Sequence, residues 1–171
     1  MAEVSRTLAK PAVDSTKKIS RPAPNISADN NVKPKPTEDI GVGGSSLDTM
    51  VAACAVELMN ARNSFHKLHL KVTGEGSYAA HKALNEFYDE LPDFVDTLME
   101  GYQGVTEKIL TCKDMAPRTV DTVADAVDYL REMYGMINKL QGKMPYSEIV
   151  NNLDLVKDAI NSTKYKLLFL K

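Results

Sequence analysis

The sequence predicts an all-α protein, a four-helix bundle carried behind a long N-terminal arm without regular structure. Three observations predict it. Apolar residues recur at helical spacing from about residue 47 onward, five of the eight prolines fall before residue 37, and Gly41-Val42-Gly43-Gly44 separates the two regions. Strand-favouring aromatics are scarce, at 6% with no Trp, which argues against a sheet.

The arm, residues 1–44, mixes proline with scattered Ser, Asn and Lys and shows no helical period. Such a segment buries too little apolar surface to offset the entropy of ordering it. Charge divides the same way: residues 1–36 hold seven Lys/Arg against three Asp/Glu, a net +4, and residues 37–171 hold fourteen against twenty, a net −6. Lys17, Lys18, Arg21, Lys33 and Lys35 are the candidate contacts of the arm with DNA or with a particle surface. They are sparse, and no aromatic side chain lies between them for base stacking. Any phosphate binding they provide is therefore expected to be weak and salt-sensitive unless many arms act together.

Ser45 is read as the N-cap of the first helix, about 46–72. Its stripe is Leu47, Val51, Cys54, Leu58, Ala61, Phe65, Leu68 and Val72, stepping alternately by four and three, a helix seam. Gly74-Glu75-Gly76 ends it. The second helix, about 77–108, has the core stripe Leu84, Phe87/Tyr88, Leu91, Phe94/Val95, Leu98, Tyr102, Val105 and Ile109. Pro92 lies inside this stripe, so a kink or a division into two pieces is expected there. The third helix, about 119–141, carries Val120, Val123, Val127, Leu130, Ile137 and Leu140 up to Gly142. The fourth, about 146–170, opens after Pro145 and ends among Lys164, Lys166 and Lys171, where cations suit the helix dipole. Short joints within each pair make two antiparallel hairpins, hence a bundle.

Cys54 and Cys112 are read as buried or half-buried thiols, since two cysteines without a CxxC make no framework. The N-terminus lacks a signal-peptide core, and no apolar run is long enough to span a membrane. A cytoplasmic or virus-particle-associated location is the expectation, with no membrane contact.

All three histidines, His66, His69 and His81, fall within sixteen residues, leaving the third and fourth helices with none. A di-iron centre in the middle of one bundle needs Glu-x-x-His motifs on two helices and carboxylates from all four, so this arrangement is not expected. His69 near the end of the first helix and His81 near the start of the second come close across the joint. Asp96 and Glu100 share a face of the second helix, but Asp96 lies about 22 Å from His81 along the axis at 1.5 Å per residue. One metal reaches both pairs only if a second chain, related by a two-fold axis and antiparallel at this helix, supplies the carboxylates.

The register His69, Gly74, His81, Asp96 and Glu100, with Tyr78 and Glu90-Leu91 between, resembles the Dps family, the mini-ferritins named as DNA-binding proteins from starved cells. The likeness covers roughly residues 45–171. It implies a ferritin-like four-helix bundle, assembled as a hollow dodecamer. It also implies Fe(II) bound between subunits, with His69 and His81 from one chain and Asp96 and Glu100 from the other, then oxidised with peroxide or oxygen and stored. A basic tail that contacts DNA is a common companion in that family. Leu70 stands where the family has Trp, and Asn85 where it has Asp. Asn is a poorer ligand for a hard cation, so one firm iron position and a weak second one are expected, with His66 as a compensating ligand. Similar shortened ferritin-like chains occur in large phages.

Two functions from different classes follow. The first is an iron-binding ferroxidase and storage protein, a homo-oligomer through its first two helices. The second is a structural or particle-associated protein with a degenerate metal site, docking through its arm. Protection of nucleic acid by the arm is a third, weaker expectation.

Overall fold

A computed structural model describes residues 46–170. The predicted arm, with Lys17, Lys18, Arg21, Lys33 and Lys35, lies outside the described residues, as does Ser45. The rest is a four-helix bundle: α1 Leu47–His69, α2 Ser77–Thr106, α3 Val123–Gln141 and α4 Ser147–Phe169, with no strand among the described residues. No described helix is long and apolar enough to cross a membrane.

The α1 seam is buried as its periodicity requires: Val51, Cys54, Leu58, Ala61 and Phe65 are fully enclosed. The cap is Ser46, whose hydroxyl accepts from the Thr49 amide at 3.2 Å. Helix α1 stops at His69, three residues short of the expected end, because the Lys71 and Val72 amides both turn back to the Leu68 carbonyl. Gly74 and Gly76 then take φ of 90° and 74°, a left-handed conformation that a Cβ would strain.

Helix α2 runs unbroken through Pro92, contrary to the expected division. The ring faces outward, while Leu91, Val95 and Leu98 on the inner side are buried and hold both halves to the core. Pro92 has no amide hydrogen, so the Tyr88 carbonyl four residues earlier loses its intrahelical partner while the packing holds the helix continuous.

Helix α3 begins at Val123, later than the expected 119. Val120 belongs to the buried stripe, but it reaches the core from the preceding loop. The start is set by a capping box. The Thr122 hydroxyl accepts from the Asp125 amide at 3.1 Å, and the Asp125 carboxylate accepts from the Thr122 amide at 2.9 Å. Thr122→Ala should cost about 1 kcal/mol of stability in chemical denaturation. The hydrogen bonds from Thr122 and Asp121 hold the Asp125 carboxyl below its ordinary range. Its contribution is thus present above the unfolded-state pKa and lost as pH falls through the lower folded value.

Contacts across the bundle fix its topology. Tyr102 near the end of α2 donates to Asp48 at the start of α1, and its ring meets Tyr146 beside the start of α4. At the other end His69 meets His81, Lys71 pairs with Asp121 just before α3, and Lys166 near the end of α4 pairs with Glu86. Helix α2 therefore finishes at one end of the bundle and α3 starts at the other. The connection from Glu107 to Thr122 crosses between them along α1, where Asn60 donates to the Met115 carbonyl at 3.0 Å and Ser64 to the Arg118 carbonyl at 2.6 Å. Two antiparallel hairpins joined by one long crossover result. Helix α1 packs on α2 and α3, and α4 completes the ring. Among the described residues no further helix packs on the outer face of the α1–α2 layer.

Candidate metal centre

The last turn of α1 carries His66 and His69, and the second turn of α2 carries His81. The glycine turn folds α2 back against α1 and stacks the His69 and His81 rings, with centroids 3.7 Å apart and planes inclined by 24°. His69 is 8% exposed and His81 is open to solvent.

Each ring also bonds to the other residue's backbone. His69 Nδ1 donates to the His81 carbonyl at 3.0 Å, and His81 Nδ1 donates to the His69 carbonyl at 3.2 Å. A carbonyl only accepts, so each Nδ1 carries the hydrogen, and in the neutral ring the lone pair sits on Nε2. Neither Nε2 has a hydrogen-bond partner among the described residues. The His69 carbonyl ends α1, so it lacks an intrahelical partner, and the imidazole supplies one. A backbone carbonyl held at Nδ1 fixes the tautomer and orientation of each ring, an arrangement also used by metal-binding imidazoles.

The structure brings His69 and His81 together across the joint. Asp96 and Glu100 are exposed on α2, and its continuity keeps them about 22 Å from His81 at 1.5 Å per residue. Among the described residues no three His, Cys, Asp or Glu side chains gather around one point. Asp96 instead borders a shallow groove of about 430 Å³ between α1 and α2, with Met59, Arg62, Leu91 and Pro92.

His66 does not join the pair. Its ring lies 5.9 Å from that of His69 and stacks on Tyr88 at 4.4 Å. Tyr88 itself meets His69 edge-on at 5.3 Å. Sequence reasoning assigned Tyr88 only to the core. The signal was present: Tyr88 is seven residues after His81 and so shares its helix face.

Asn85, one turn after His81, donates its amide to the Asp89 carboxylate. The outer side of α2 is acidic, with Asp89, Glu90, Asp93, Asp96 and Glu100 all exposed. Neither thiol belongs to this site. Cys54 is buried in the core, where burial first and Glu57 second push its pKa up to about 12, so it is an inert thiol. Cys112 is exposed in the crossover, which corrects the expectation of a buried or half-buried side chain. It has left the helical pattern that buries Cys54.

The chain is similar to a protein of Enterobacteria phage T4 described as an uncharacterized 14.6 kDa protein in the mobD-ri intergenic region. The two are 28% identical over 110 residues, which cover 64% of this chain and 81% of the phage protein. No solved structure matches the chain. A family model matches residues 69–167, a span that opens on His69 and contains His81, Asp96 and Glu100. On that match the chain belongs to DUF5856, a family of unknown function.

Proposed function

We propose that this protein is a Dps-like iron-binding and iron-storage protein whose metal sites are completed by a second copy of the chain. The observation that carries the proposal is the reciprocally bonded imidazole pair, which presents the Nε2 lone pairs of His69 and His81. The single long crossover between two hairpins supports the ferritin-like reading, because ferritin-like bundles have that connection. In this reading Fe(II) is the substrate. His69 and His81 supply neutral nitrogen ligands, and Asp96 and Glu100 of the second copy supply the oxygen ligands and the negative charge that a hard cation prefers. Oxidation takes one electron from each Fe(II), and peroxide accepts two.

The test is size and metal content measured together on the purified full chain. The reading expects an assembly larger than one chain, with Fe(II) bound in proportion to chains under anaerobic conditions. A monomer at micromolar concentration with Fe(II) present would sink it.

A second reading has its own support. Asn85 stands where the resemblance wants a carboxylate and is engaged with Asp89, and the T4 protein is phage-encoded. A structural or particle-associated protein with a degenerate metal site, docking through its basic arm, accounts for both. Fe(II) binding at stoichiometric levels favours the first reading. Retention on phage particles without iron favours the second.

A further inference from the structure

The three histidines and Tyr88 form one continuous aromatic stack across the α1–α2 joint. His66 lies nearly flat on Tyr88, with planes inclined by 23°. Tyr88 presents its ring to His69 at 82°, and His69 is stacked on His81. Tyr88 is 7% exposed, wedged between the two helices. Offset stacking and edge-to-face contact are the two preferred aromatic arrangements, and this stack uses both.

We infer that His66 serves the imidazole pair through Tyr88, as an aromatic positioning residue, and is not a metal ligand. Three observations carry this. His66 is half-buried with one ring face covered by Tyr88. Its ring centroid lies 5.9 Å from that of His69, against 3.7 Å between His69 and His81. Tyr88 touches both His66 and His69, so it transmits a constraint from one to the other. The Nδ1 bond of His69 depends on ring orientation. The perpendicular contact with Tyr88 restricts rotation of the His69 ring about its Cβ–Cγ bond, which keeps Nδ1 on the His81 carbonyl. Tyr88 is in turn covered on one ring face by His66. This inference rests on the metal-site reading for its consequence, but its geometry concerns the metal-free chain.

The experiment therefore has a metal-free arm. Nitrogen-15 NMR of the full chain without metal reports which ring nitrogen of His69 and of His81 carries hydrogen. The wild type should show Nδ1–H at both. His66→Ala should leave His69 with mixed tautomers, and His66→Phe, which keeps a ring on Tyr88, should restore the wild-type pattern. Tyr88→Phe should preserve it as well. In the second arm, anaerobic Fe(II) affinity should fall on the order of ten-fold in His66→Ala, the usual size of an indirect effect on a metal site. It should return close to wild type in His66→Phe, which has no ligand atom.

Loss of Fe(II) binding in His66→Phe equal to that in His66→Ala would make His66 a ligand and overturn the inference. Unchanged tautomers in His66→Ala would overturn it equally. If the wild type binds no Fe(II), the metal-site reading fails, and the NMR arm alone decides whether the stack positions the pair.

Discussion

Asp96→Ala is expected to weaken anaerobic Fe(II) binding at least as much as His81→Ala, by a factor on the order of a hundred, and to lower the mass of the metal-loaded assembly. Removing His81 deletes one neutral ligand. Removing Asp96 deletes a ligand and a charge that offsets the cation. The comparison is sharp because Asp96 lies about 22 Å from His81 in the same chain at 1.5 Å per residue, so no effect of Asp96 on the imidazole pair arises within one chain. The link to assembly follows from the acidic outer side of α2. A two-fold arrangement that brings His81 to Asp96 and Glu100 of a second copy also brings Asp89, Glu90 and Asp93 near their own counterparts. Like charges there repel, so a bound cation strengthens the contact and chelation weakens it. Light scattering with Fe(II) and with a chelator should give a larger and a smaller mass. Added salt should narrow the difference by screening the carboxylates. Unchanged Fe(II) binding in both variants would leave the structural reading standing alone.

The two layers of this protein were legible to different degrees. The seam from Val51 to Leu68 and the stripe from Leu84 to Tyr102 stood in the sequence as helical periods, and those residues are the core. The boundaries were less visible because they are set by local hydrogen bonds that compete with pattern. Val120 matches the α3 stripe yet lies in the crossover, since the Thr122–Asp125 capping box decides where the helix starts. Pro92 reads as a break, and the apolar residues on its inner side override that propensity. The His69–His81 approach was legible because a short joint between antiparallel helices leaves little choice. The reciprocal Nδ1 bonds were not, because they depend on ring rotation and on the exposed carbonyl that ends α1 only when the helix stops at His69. The stacking of His66 on Tyr88 was also hidden: an i, i+3 pair of histidines suggests shared chemistry, and the contact depends on how Tyr88 packs between the helices.

Asn85→Asp is expected to have opposite effects with and without metal. The substitution restores the carboxylate that the Dps resemblance wants one turn after His81. In the present structure the Asn85 amide donates to Asp89. A carboxylate cannot donate there, so the variant loses that hydrogen bond and sets two like charges at i, i+4. A like-charge pair at that spacing costs a helix about 0.5 kcal/mol, and the lost bond adds a further cost of about 1 kcal/mol. Metal-free Asn85→Asp should therefore be less stable than wild type in chemical denaturation. With Fe(II) the sign reverses. The new carboxylate is a stronger ligand for a hard cation than the amide, and it stands on the same face of α2 as His81. Fe(II) affinity should rise on the order of ten-fold, and peroxide-dependent oxidation should quicken. Denaturation with and without Fe(II), run beside a stopped-flow oxidation assay, measures both halves. Asn85→Ala separates them, since it loses the bond to Asp89 without adding a ligand. It should share the metal-free deficit only in part and gain no Fe(II) affinity. An Asn85→Asp chain that is destabilised without metal and unaffected by Fe(II) would show that the imidazole pair does not hold iron at this face.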